Sequence, residues 1–201
     1  MKKTILIVLL TTIVVQCAYS QNWDVDMLHT INSWDSPFMR DYNSFISRTE
    51  PYAVIGVPII IGVTGWATHD KKMMKSALYT GVSVAGAFAV SYGMKYLVNR
   101  ERPYVTYPDL IHNYSLESSP SFPSAHTATA FALATSLSLE YPKWYVIAPS
   151  ALWACSVGMS RMNEGVHYPS DVLAGAAIGA GCAVLNFYAN RWLNRWLFGE
   201  R

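Results

Sequence analysis

The sequence predicts an all-α integral membrane protein, a helical bundle of about five to six transmembrane helices, and three observations carry that prediction. Stretches free of Asp, Glu, Lys and Arg run over 51–69, 76–94, 118–139, 144–160 and 172–190, each close to the ~20 residues a bilayer helix needs. Charged residues make up 14% of the 201 residues and the hydrophobic set 52%, against roughly 25% and 45–50% in ordinary soluble domains, so the chain is depleted in charge more than enriched in apolar residues. The runs are also rich in Gly, Ala, Ser and Thr, including the spacing Gly175-x-x-x-Gly179, which lets helix backbones approach closely where packing rather than water drives association. A soluble bundle would need a polar face on each surface helix, and these runs supply none.

Three segments are expected in order. Residues 1–20 read as a signal peptide or first membrane anchor: Lys2 and Lys3 precede an apolar stretch from Ile5 to Val15, and Ala18 and Ser20 stand where cleavage before Gln21 would fall. Residues 21–50 place Trp23, Met27, Leu28 and Ile31, then, after Pro37, Phe38, Met39, Tyr42, Phe45 and Ile46 at helical spacing. Two short amphipathic helices on the membrane surface satisfy that pattern, and so does packing against the bundle. Residues 51–201 are expected to form the one membrane domain.

With the leader inserted and Lys2 and Lys3 inside, the runs thread alternately. Lys71, Lys72, Lys75, Lys143, Arg191, Arg195 and Arg201 then fall on the cytoplasmic side, and Arg40, Arg48, Lys95, Arg100, Arg102 and Arg161 outside, which obeys the positive-inside rule modestly. The net charge of +2, without a basic stripe, excludes nucleic acid as a partner. Cys17, Cys155 and Cys182 form neither a disulfide framework nor a zinc pattern.

This threading brings three clusters to the outer face: Lys95 with Arg102-Pro103, then Pro123-Ser124-Ala125-His126, then Ser160-Arg161 followed by His167 and Asp171. Each member alone has a bland explanation: a snorkelling lysine, a helix cap, an interfacial ion pair. Together they supply what phosphoryl transfer requires. Lys95, Arg102 and Arg161 bind phosphate oxygens, while Ser124 and the first N–H groups of a helix hold an anion at its positive end. His167 and Asp171, four apart, share one helix face, so that the carboxylate sets the imidazole tautomer and leaves a lone pair for phosphorus. His126 protonates the leaving oxygen and later activates water.

These residues resemble the three-part signature of the type 2 phosphatidic acid phosphatase (PAP2) superfamily, which holds membrane lipid phosphatases, soluble acid phosphatases and vanadium haloperoxidases. The likeness spans Ser76 to Asn190 and extends through His167-Tyr168-Pro169-Ser170-Asp171-Val172-Leu173-Ala174-Gly175. It implies a PAP2/haloperoxidase-like helical core, a phosphohistidine at His167, catalysis with no metal or other cofactor, and inhibition by vanadate. It also implies that the residue-125 backbone N–H contacts phosphate. The family carries glycine where this chain has Ala125, a departure expected to tune activity rather than abolish it.

The expectation is therefore a metal-independent phosphoric monoester hydrolase of the bacterial inner membrane, its site facing the periplasm and its partners the bilayer and a phosphorylated lipid. Lipid A is the favoured lipid, on the size of the outer segment 99–121. Undecaprenyl pyrophosphate, phosphatidic acid and phosphatidylglycerophosphate stay open beside it, as does a soluble periplasmic acid phosphatase.

Overall fold

The computed structural model describes residues 23–198. The leader expected over residues 1–20, with Cys17, and the terminal Arg201 lie outside the described residues. Seven helices form among those described: α1 (residues 23–32), α2 (Pro37–Ala67), α3 (Lys71–Val98), α4 (Pro103–Thr106), α5 (Ala125–Glu140), α6 (Trp144–Asn163) and α7 (Pro169–Phe198).

Local chemistry sets the helix ends. Ser36 accepts from the Met39 N–H at 3.2 Å and Pro37 opens α2, where the missing proline donor costs nothing. Asp70 accepts from the N–H groups of Lys72 and Met73 at 2.8 and 3.1 Å to start α3. Asn99, at φ 49°, closes that helix in the left-handed region an asparagine tolerates.

α5 is the central helix, packed on α7, α3 and α6, with α2 leaning across α3 and α6. Ala128, Ala130 and Ala132 are fully buried on it. The small-residue spacing does what was expected of it: a Cβ at Gly175 would come within 2.5 Å of the Ser124 carbonyl oxygen, and one at Gly179 within 2.0 Å of the Ala128 carbonyl oxygen. The α7 backbone lies directly on α5 only because both positions lack a side chain.

Three helical stretches are long and apolar enough to cross a membrane by length and composition: Pro37–Ala67, Lys71–Thr106 and Pro169–Trp192. Their outward faces carry Ile55, Ile60, Val63, Leu78 and Leu185, all exposed, as lipid contact requires. The run 118–139 divides differently from the expectation of one span. Its first residues form an irregular wall, and α5 keeps 16 residues, ~24 Å at 1.5 Å per residue; enclosed by its neighbours, it does not have to meet lipid along its length.

The boundary expected at residue 50 falls inside α2, which continues through Pro51 and Pro58. Membrane helices tolerate prolines because neighbouring groups re-satisfy the freed carbonyls. In α1, Leu28 and Ile31 are buried against Ile111, Met162, Tyr168 and Val172, whereas Trp23 and Met27 are exposed. The segment packs on the bundle and keeps an apolar outer face.

Candidate active site

Antiparallel threading carries the C-terminal ends of α3 and α6 and the N-terminal ends of α4, α5 and α7 to one end of the bundle. Every candidate residue lies there. Lys95 sits in the last turn of α3, Arg102 is the N-cap of α4, Ser124 the N-cap of α5, and Arg161 lies in the last turn of α6. Ala125 and His126 open α5, whose first N–H groups have no intrahelical acceptor. Lys95, Arg102, Ser124, Arg161, His167 and Asp171 are all buried, a concentration of charge that an apolar bundle keeps only where the groups serve one another or a ligand.

His167 and Asp171 do meet, but not on a shared helix face. α7 begins at Pro169, so Tyr168 is its N-cap and His167 precedes it. From the third helical position, Asp171 reaches back to accept the Tyr168 backbone N–H at 2.9 Å, half of a capping box. The same carboxylate oxygen stands 3.5 Å from His167 Nδ1. Its other oxygen accepts from Arg100 Nη1 at 2.8 Å. The opposite ring nitrogen, Nε2, lies 3.4 Å from Arg102 Nη1.

Arg102 is oriented by backbone: its Nε donates to the Ser119 carbonyl at 2.8 Å and Nη1 to the Val166 carbonyl at 2.9 Å. Lys95 Nζ donates to the Pro120 carbonyl. The irregular stretch before α5 thus holds two cations in place. Arg161 donates through Nη1 to Ser47 at 2.6 Å and Glu164 at 2.7 Å, and through Nη2 to Glu117. The Ser124 hydroxyl is turned into its own helix, accepting from Thr127 Oγ1 at 2.9 Å.

Electrostatics fit a nucleophile at His167. Burial first, then the positive charges of Arg102, Arg161 and Lys95 and the neighbouring His126, hold its pKa well below the ordinary 6.5. The ring is therefore neutral, and a lone pair is available at neutral pH. Glu117 is the opposite case. Burial alone would raise its pKa, but Arg161, Arg102 and His126 outweigh burial and hold it below the usual 4.5, so it stays a carboxylate.

Four residues of this constellation had no assigned role in the sequence. Arg100 bridges Asp171 and Asp24, the latter at 2.9 Å, and stacks 3.7 Å over the Tyr168 ring. Asp24, on α1, also accepts the Ser170 N–H at 2.8 Å. Glu117 lies between two arginines, and Glu50 of α2 lies 3.9 Å from His126. A lone acidic residue beside a charge-free run was the only available signal for Glu50, and Arg100 had only its place among the outer cations.

The family model of the PAP2 superfamily matches residues 76–195. The chain is 32% identical over 130 residues to the bacitracin transport permease protein BcrC of Bacillus licheniformis, an overlap of 63% of this chain and 61% of that one. It is 41% identical over 83 residues to the lipid A 1-phosphatase of Porphyromonas gingivalis, 40% of this chain and 18% of that protein. The chain thus spans less than two thirds of the length of either relative. The crystal structure of the first transmembrane PAP2 type phosphatidylglycerolphosphate phosphatase from Bacillus subtilis has the same fold, with a TM-score of 0.74 at 22% identity over 94% of this chain and 96% of that one. Because the matched stretch takes in all three clusters from Lys95 to Asp171 and more than half of the chain, the protein belongs to the PAP2 superfamily.

Proposed function

We propose that the protein is a metal-independent phosphatase acting on a phosphate monoester or pyrophosphate at the head of a membrane lipid. One observation carries the lipid half of this reading. A cavity of about 540 Å³ between α2 and α3 is walled by Val54, Ile55, Ile59, Val84 and Phe88 and is lined as well by Ala125 and His126 of α5. An apolar lining for a hydrocarbon tail therefore reaches the first turn of α5, the end of the bundle at which the cations gather. A soluble ester would have no use for such a lining.

In the proposed reaction the phosphate lies against Arg102, Arg161, Lys95 and the first N–H groups of α5. His167 Nε2 attacks phosphorus while Asp171 holds the proton on Nδ1. The N–P bond forms as the bond to the leaving oxygen breaks, and His126, neutral in the empty site and protonated together with the incoming phosphate, supplies that oxygen with a proton. Water then attacks the phosphohistidine, giving a proton to His126, and the N–P bond breaks to release inorganic phosphate. The cations neutralise charge on the equatorial oxygens throughout.

The charge distribution supports a site on the outer face of a bacterial inner membrane, and the leader expected over residues 1–20 agrees with that orientation. Two headgroup classes have support: a phosphorylated saccharolipid, from similarity to lipid A 1-phosphatase, and a polyprenyl pyrophosphate, from similarity, 27% over 128 residues, to the undecaprenyl-diphosphatase BcrC of Bacillus subtilis. The test is phosphate release by purified full-length protein from lipid A, undecaprenyl pyrophosphate, phosphatidic acid and p-nitrophenyl phosphate. Preference for a lipid, with a 32P-labelled phosphoenzyme lost in His167→Ala, is the expected result. Faster turnover of p-nitrophenyl phosphate than of every lipid would overturn the reading.

A further inference from the structure

Glu50 is the last charged residue before the apolar run of α2, and it is buried. A carboxylate at such a depth needs partners. Its Oε1 accepts from Thr129 Oγ1 at 2.6 Å, and Thr129 stands one turn beyond His126 on α5. Its Oε2 lies 3.9 Å from His126 Nε2. Glu50, Ala125, His126 and Thr129 all line the apolar cavity. Burial first, then the charges of Arg161, Lys95 and Arg102, lower the His126 pKa from 6.5 to about 4 against the pull of Glu117, so the ring is neutral in the empty site and takes up its catalytic proton with an incoming phosphate. Glu117 itself is already tied to the arginines.

We propose that Glu50 is the positioning residue of His126, a second carboxylate–imidazole pair facing the His167–Asp171 pair across the phosphate. The inference rests on His126 being the acid and base of the reaction proposed above. With its carboxylate on Nε2–H, Glu50 turns Nδ1 toward the leaving oxygen. In the first step the Nδ1 proton passes to that oxygen as its bond to phosphorus breaks, leaving a neutral imidazole whose Nε2–H stays on Glu50. In the second step Nδ1 takes a proton from the attacking water. Thr129 fixes the free carboxylate oxygen so that the pair keeps one orientation.

The experiment compares full-length wild type, Glu50→Gln, Glu50→Asp, His126→Ala and the Glu50→Gln/His126→Ala double variant. Phosphate release is followed from a lipid phosphate with an alkoxide leaving group, and the first-turnover burst of p-nitrophenol from p-nitrophenyl phosphate. Vanadate binding, read as a thermal shift, reports an intact phosphate site in each variant. Glu50→Gln is expected to lower kcat on the alkoxide substrate by about 10- to 100-fold with KM little changed, to leave the burst rate nearly unaltered, and to recover partly in Glu50→Asp. The double variant is expected to be no worse than His126→Ala alone. Wild-type kcat in Glu50→Gln, equal losses in burst rate and alkoxide turnover, or additive losses in the double variant would each overturn the positioning role. If His126→Ala itself loses no more on the alkoxide than on the aryl ester, the acid–base reading of His126 fails and takes this inference with it. Failure of Glu50→Gln alone removes only the inference.

Discussion

The Glu117 carboxylate lies between the two site arginines, bonded to Arg161 Nη2 through one oxygen and 3.8 Å from Arg102 Nη2 through the other. It holds an anion against the groups that a phosphate would need. Glu117→Gln should therefore bind inorganic phosphate and vanadate more tightly, by about 2- to 5-fold for a pair that is partly exposed, and competitive inhibition constants read this directly.

In the proposed reaction Asp171 acts on His167, 3.5 Å away, without touching substrate. Asp171→Asn cannot accept both the Tyr168 N–H and the Arg100 guanidinium as a carboxylate does, and it no longer favours a proton on Nδ1. By analogy with other carboxylate-oriented histidines, kcat should fall about a thousandfold or more while KM stays close to wild type. Steady-state kinetics on one lipid phosphate make the comparison.

The depressed pKa of His167 has two consequences of known sign. Below the ordinary 6.5 the unfolded chain takes up a proton that the folded ring refuses, so stability from this group is complete above that pH and is lost as pH falls through it. The proposed nucleophile also stays unprotonated there, and the rate of phosphoenzyme formation should show no break at 6.5 from His167. Arg102→Gln removes the largest charge effect opposing protonation and should move that break upward. Rapid-quench measurements of the 32P-phosphoenzyme across the acid range test both statements.

Asp24 links α1 to the site through Arg100 and Ser170. Asp24→Asn should loosen the guanidinium that braces Asp171 and lower kcat about tenfold, with vanadate binding retained. A substitution at exposed Trp23, one residue earlier, should change kcat little.

Packing makes a further prediction. Gly179→Ala drives a methyl into the Ala128 carbonyl, and Gly175→Ala one into the Ser124 carbonyl. Each should destabilise the bundle by about 1–3 kcal/mol and displace Asp171 along with α7. Gly86→Ala and Gly93→Ala meet nothing within 4 Å and should be neutral or slightly stabilising. Thermal unfolding in detergent separates the two pairs.

The membrane bundle was legible because charge is absent over long runs, and the gathering of Lys95, Arg102, His126, Arg161, His167 and Asp171 because alternating spans carry those residues to one end. Gly175 and Gly179 were legible as a close contact, though not as a contact with α5. Glu50, Glu117, Asp24 and Arg100 were hidden for a physical reason: a carboxylate or guanidinium beside a loop has the same sequence signature in water as in a buried pair. Nothing charged marks where the run 118–139 turns from irregular wall to helix, so only the Ser124 cap could locate that change. The course of α2 through Pro51 was equally hidden, because a proline reads as a stop unless neighbouring helices supply the missing contacts.

The apolar cavity between α2 and α3 has walls that include Ile55, Ile59 and Phe88, side chains that are themselves exposed on the flank of the bundle. If the substrate is the lipid proposed above, one reaching His126 by that route would not have to leave its leaflet. Turnover would then follow the mole fraction of phosphorylated lipid among its neighbours rather than its amount per volume, and unphosphorylated lipid would act as a two-dimensional diluent.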